Sequence, residues 1–142
     1  MAAFSIRVES DDPAVGRIRI GDFVESFDLN CSLWSCADYQ RSWSMELQRL
    51  VGGSRPVVVL WTWRCPVPSV GTQRGWICFL EGSHVFIQER LFVPDAHDAD
   101  LDDDGNLIAR PREEVSEDGS PISQWETTVG AIESFLRHDG AI

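Results

Sequence analysis

Asp100, Asp102 and Asp104 alternate within the stretch "DADLDDDGNLIAR", Asp98 to Arg110, and Gly105 follows them. Carboxylates at alternate positions before a glycine resemble the opening of a calcium loop. Such a loop places oxygen ligands at positions 1, 3 and 5, a sharp turn at 6 and a bidentate Glu at 12. With Asp100 at position 1, position 12 is Pro111, which has no carboxylate. The flanking "LFVPDAHDA" and "RPRE" lack the helical pattern that would supply the two arms. The half-motif predicts no metal site, and the segment reads as a charged surface.

Other chemistry-bearing residues are scattered. Cys31, Cys36, Cys65 and Cys78 form no C-x-x-C pair, and His84, His97 and His138 give no zinc spacing. Four reduced thiols are expected. Arg64 precedes Cys65, but one adjacent charge does not make a nucleophile. The chain has no Gly-rich phosphate loop, no G-x-S-x-G and no H-E-x-x-H. His84 falls in a predicted strand and reads as a core histidine. His138, at a helix end, reads as solvated. General acid chemistry needs a desolvated carboxyl in a pocket, and a run of acids in a loop implies water around them. No catalytic residue, no cofactor and no enzymatic activity are expected.

The net charge is −11 over 142 residues. Residues 94–120 hold ten carboxylates against Arg110 and Arg112, so this segment carries −8 of that charge. Such a chain lacks the cationic surface that direct nucleic-acid binding requires. It suits a basic partner instead. The longest apolar run, Pro56–Trp63, is too short to span a bilayer. The N-terminus shows no secretory signal, so a cytoplasmic location is expected.

The elements that must carry this surface follow from periodicity. "FSIRVES" alternates as a strand and "DDPAVG" breaks it. "RIRIGDFVESFDL" reads as a hairpin about Gly21-Asp22, with Phe23, Phe27 and Leu29 on one face and Glu25 interrupting it. Ser35 and Asp38 fit a capping box with Asp at its third position, and Trp34 with Tyr39 a hydrophobic staple. Tyr39, Trp43, Leu47, Leu50 and Val51 then recur at helical spacing until Gly52-Gly53. "PVVVLWTWR" is a buried strand, and "CPVPSVGTQRG" a loop. "WICFLEGSHVFIQERLFV" is a hairpin turning near Glu81-Gly82-Ser83. Ser123 to Glu126 spells a capping box for a last helix, with Trp125, Val129, Ile132, Phe135 and Leu136 as its apolar face. The fold class is α+β: an antiparallel sheet of meander and hairpins with two amphipathic helices packed on it, in one domain over residues 1–142.

Three of these stretches, "WSCADYQRSW", "WICFLEGSHVFIQERLF" and "EDGSPISQWETTVGAIESFL", recur in a suggestive order and spacing. They resemble immunity proteins of bacterial contact-dependent growth inhibition systems, of the CdiI, Enterobacter-like type. The most specific motifs are D-Y-x-x-x-W at Asp38–Trp43, V-F-I-Q at Val85–Gln88 and D-G-x-x-I-S-x-W at Asp118–Trp125. Gln124 stands where the resemblance expects Glu. The resemblance implies a cytoplasmic inhibitor that binds and neutralises one delivered toxin domain, often a nuclease. A nuclease cleft must be basic to hold a polyanion, and an acidic protein can fill it with carboxylates. The expected contacts are Asp98, Asp100, Asp102, Asp103 and Asp104, with Glu113 and Glu114. Tyr39, Trp43, Trp76 and Trp125 are expected in the core.

Two other classes compete. An acidic interaction module, either a nucleic-acid mimic or an adaptor for a basic protein, would share the charge but lack a toxin gene beside it. A small enzyme or ligand-binding domain would need a deep pocket lined by Trp61, Trp63, Trp76 or His84. A nucleic-acid binder would need a basic face with exposed aromatics, and Arg17, Arg19, Arg41, Arg49 and Arg55 are dispersed along the chain.

Overall fold

The structure, a computed structural model, describes residues 3–65, 71–92 and 112–138. Alternating apolar and polar residues near the N-terminus form three antiparallel strands, β1 (Phe4–Asp11), β2 (Ala14–Ile20) and β3 (Phe23–Asp28), in the order β1-β2-β3. Phe4, Ile6, Ile18, Ile20 and Phe27 are buried on one face, as period-2 alternation requires. Gly21 has φ +63° in the predicted turn between β2 and β3. Gly16 lies opposite Phe27, and a Cβ there would stand 2.6 Å from the Phe27 ring. The glycine thus makes room for the ring on the inner face.

The first helix, α1 (Cys36–Val51), begins where the capping residues predict. The Asp38 amide donates to the Ser35 hydroxyl at 3.1 Å, and the Ser35 amide donates to the Asp38 carboxylate at 2.9 Å. Those bonds hold the Asp38 carboxyl below its ordinary pKa. Trp34 meets Tyr39 edge-on at 5.3 Å, completing the staple. Tyr39, Trp43, Leu47 and Leu50 are buried.

The second sheet has the order β4-β5-β6-β7, all antiparallel, with β4 (Val57–Trp63), β5 (Gln73–Glu81), β6 (His84–Phe92) and β7 (Trp125–Thr128). α1 covers β4, and the Trp43 indole donates to the Trp61 carbonyl at 2.7 Å. A bulge at Thr62 shifts the register between β4 and β5. It frees the Thr62 carbonyl to accept from the Asn30 amide at 3.3 Å, and Asn30 bridges Trp63. The end of β3 is thereby joined to the end of β4. Gly75 sits where a Cβ would come within 2.6 Å of Val59 and 3.0 Å of the Leu60 carbonyl.

The second helix, α2 (Val129–His138), departs from the expectation at its start. Ser123 and Glu126 do not cap it. Trp125–Thr128 is strand β7, paired with His84–Ile87 of β6. An aromatic residue and two threonines favour the pleated conformation there, and Trp125 stacks on Phe23 at 4.1 Å. Thr128 caps instead, its hydroxyl accepting from the Ala131 amide at 3.1 Å. Ile132, Phe135 and Leu136 are buried as predicted, and Phe135 meets Phe4 edge-on.

The fold is therefore α+β, with two amphipathic helices packed on antiparallel strands, as expected. The strands form two sheets rather than one. A single apolar core spans both, built around Trp43, Trp76, Phe27 and Tyr39. Trp125 is partly buried at its edge. No helix of the described residues is long and apolar enough to cross a membrane.

Candidate interaction surface

Of the expected contact residues, Asp98, Asp100, Asp102, Asp103 and Asp104 lie outside the described residues. Glu113 and Glu114 are described and exposed, at the start of a strap that runs along β6 to β7. Arg112 anchors this strap. Its Nε and Nη2 donate to both Glu81 carboxylate oxygens at 2.7 and 3.0 Å. Its Nη1 donates to Glu114 at 3.0 Å and to Gln124 at 3.2 Å. The guanidinium lies 3.9 Å from the Phe86 ring centre. The Glu81 carboxyl is held below its ordinary pKa by these bonds, and the Arg112 pKa is raised by the same partner. Glu114 is thus half committed to Arg112, although its side chain remains 69% exposed.

Gln88 holds the strap from the sheet. Its Nε2 donates to the Glu113 carbonyl at 2.8 Å and to Gln124 Oε1 at 3.0 Å. Gln124 therefore accepts from a neutral amide and a guanidinium at once. Farther along, the Ser116 hydroxyl donates to Asp118, and the Ser120 amide donates to Asp118 at 2.9 Å. These bonds close the turn around Gly119, φ +87°, and hold the Asp118 carboxyl below its ordinary pKa.

Between strap and sheet runs a groove of about 340 Å³ bordered by Gln88, Glu89, Arg90, Glu113 and Glu117. Glu89 also borders a second groove, of about 360 Å³, with Glu25, Asp28 and Arg74. The two grooves meet at Glu89, and carboxylates from β3, β6 and the strap border them. Burial, then the neighbouring Glu25, raises the Glu89 pKa, against the pull of Arg74. Glu25, Asp28 and Glu89 were not among the expected contacts. Glu25 left one signal, its interruption of an apolar face; Glu89, in "IQER", left none.

Among the described residues no histidine or cysteine borders either groove. No group of three or more His, Cys, Asp or Glu among them could hold a metal ion. Burial pushes the Cys78 thiol up, and burial with the nearby Cys31 pushes Cys36 up to about 11. Cys31 is exposed, and Cys65 is partly buried. His84 is not in the core: its Nδ1 pairs with Glu126 at 2.5 Å, and about half of its side chain is exposed. Trp76 is fully buried and Trp61 nearly so. Trp61 borders a hollow of about 160 Å³, where the Arg64 guanidinium lies 4.4 Å from Trp61 and 5.0 Å from Trp34. That is below the roughly 300 Å³ at which ligand pockets usually begin.

The register also gathers arginines that look dispersed in sequence. Arg7 lies opposite Arg17, and Arg19 opposite Ser5, on the outer face of the first sheet. Arg17 pairs with Glu9 at 3.3 Å, and Arg19 Nε donates to the Gly21 carbonyl. The groove they border has no aromatic residue on which a base could stack.

The sequence profile of the CdiI N-terminal domain matches residues 29–135. The chain belongs to that family. The matched span of this CdiI-family chain begins at the end of β3, so it takes in α1, the second sheet, the strap and most of α2. Its three recognisable motifs map onto the α1 cap and core, the β6 ladder and the strap turn. The fold extends further. A chain of the solved "CdiA-CT/CdiI toxin and immunity complex from Enterobacter cloacae" superposes with a TM-score of 0.72 at 19% identity. The match covers 98% of this chain and 99% of that one, the first sheet included. No curated protein matches the sequence.

Proposed function

We propose that this CdiI-family chain is an immunity protein that binds and neutralises a cognate toxin domain of a contact-dependent growth inhibition system. The family match over residues 29–135 carries this reading. The shared fold with a chain of a toxin and immunity complex supports it. The chain acts by protein–protein contact in the cytoplasm and performs no reaction of its own. Residues 1–142 serve as one inhibitory domain.

The charge distribution suggests the class of toxin. Net charge of −11 and carboxylates lining two adjoining grooves complement a basic cleft of the kind a nuclease needs. The proposed contacts are Asp98, Asp100, Asp102, Asp103 and Asp104, joined by Glu113 and the exposed part of Glu114. Charge-assisted pairs from these carboxylates to Arg and Lys would set specificity and speed the encounter.

Co-expression with the product of the gene immediately upstream tests the reading. The neighbour alone should arrest growth, and this chain should restore growth and co-purify with it. A harmless neighbour, or a toxic one that this chain neither binds nor neutralises, would leave an acidic adaptor as the better account.

A further inference from the structure

Trp63, Arg74 and Leu91 stand side by side across the second sheet. The register pairs Trp63 with Arg74 on β5, and Arg74 with Leu91 on β6. Directly paired residues share a face of the sheet, so the three form one row. Leu91 is 52% exposed and Trp63 37%, both large apolar side chains left in water. The Arg74 guanidinium lies 5.9 Å from the Trp63 ring centre.

This row lies at the mouth between the two sheets. Glu89, two residues before Leu91, shares its face. From the opposite sheet, Glu25 shares the inner face of Phe23 and Phe27, and borders the same groove of about 360 Å³ as Glu89, Asp28 and Arg74. Three carboxylates and one guanidinium therefore surround a space beside an exposed aromatic and an exposed aliphatic side chain. An inward-pointing charge on an edge strand can serve to prevent sheet-to-sheet pairing. That would account for Glu25 on β3, but not for Trp63 and Leu91 exposed across the mouth from it.

We propose that this mouth is a docking surface for a basic segment of the partner protein. One Lys or Arg enters between Glu25 and Glu89, while an apolar neighbour covers Trp63 and Leu91. Interface hot spots are enriched in Trp and Arg, ringed by contacts that exclude water, and Trp63 and Arg74 stand together here with Leu91 beside them. The partner's identity rests on the immunity reading, and the residues of this surface are other than those of the Asp98–Asp104 run.

The test measures binding of the purified full-length chain to the purified toxin domain encoded upstream. The variants are Leu91→Ala, Trp63→Ala, Glu25→Gln with Glu89→Gln, and Arg7→Ala on the outer face of the first sheet as control. Thermal melts establish which variants fold. Leu91→Ala should raise the dissociation rate roughly tenfold. The double Gln variant should slow association and weaken its salt dependence, and Arg7→Ala should bind as wild type. Hydrogen exchange of the complex should show protection at the Leu91 end of β6. Leu91→Ala and the double Gln variant, folded and binding like wild type without that protection, would overturn the docking surface while leaving the immunity reading intact. A wild-type chain that does not bind the toxin at all would overturn both.

Discussion

The Tyr39 hydroxyl accepts from the Arg64 amide at 2.9 Å and donates to the Asn30 carbonyl at 2.5 Å. Asn30 follows the last strand of the first sheet and Arg64 follows the first strand of the second, so one side chain of α1 ties the ends of both. The Asn30 side-chain amide completes the link by donating to the Arg64 carbonyl at 2.9 Å. Tyr39→Phe keeps the ring packing and leaves both backbone groups without this partner. It should cost about 1–3 kcal/mol, read as a lower urea midpoint at unchanged slope.

Tyr39 is the only tyrosine in the chain, so its ionisation can be followed alone. Burial, the largest cause, pushes its pKa up to about 12, against the opposing Arg64 amide. The folded pKa lies above the unfolded one, near 10. The neutral form is therefore favoured by folding, and its contribution is fully present below pH 10. It should be lost as pH rises from about 10 to 12. Absorbance titration at alkaline pH, alongside thermal melts, would show both. A tyrosine titrating near 10 in the folded chain would contradict the buried clamp.

Gly75→Ala should destabilise by about 1–3 kcal/mol, because the added carbon would meet Val59 at 2.6 Å and the rigid Leu60 carbonyl at 3.0 Å. A chemical denaturation curve decides it. Stability equal to wild type would mean β4 and β5 can separate without loss.

Arg112→Ala should loosen the strap without unfolding the sheets. The guanidinium holds Glu81, Glu114 and Gln124 and covers Phe86, and its side chain is only 12% exposed. Hydrogen exchange should accelerate at the Ile122 amide, which donates to the Glu114 carbonyl, while the β5–β6 ladder stays protected. Uniform acceleration would instead make Arg112 part of the global fold.

Converting Asp100, Asp102, Asp103 and Asp104 to Asn should leave the melting transition in place. It should weaken toxin binding and flatten the salt dependence of the association rate, since steering by charge acts at long range through a field that salt screens. Binding kinetics at several salt concentrations test this, and unchanged kinetics would remove the run from the interface.

What was legible in the sequence is local. The Ser35–Asp38 cap, the Trp34–Tyr39 staple and the Tyr39-Trp43-Leu47-Leu50 stripe are set by spacings of three and four residues, which helix geometry alone imposes. The Gly21 and Gly82 turns are likewise set within a few residues. The last helix misled for a related reason. Ser123 and Glu126 have capping-box spacing, but Trp125, Thr127 and Thr128 gain more from pairing with β6 and stacking on Phe23. That gain depends on strands far away in the chain.

The interaction surface divides in the same way. Length, charge and motif order by themselves determined an acidic α+β chain of one family, with its charge concentrated between residues 94 and 120. Only the tertiary structure brought Glu25 to Glu89, set Leu91 beside Arg74 and Trp63, and aligned Arg7 with Arg17. Those relationships are decided by strand register and by how two sheets meet at the Thr62 bulge. Both arise from contacts between residues distant in the chain, which no local spacing records.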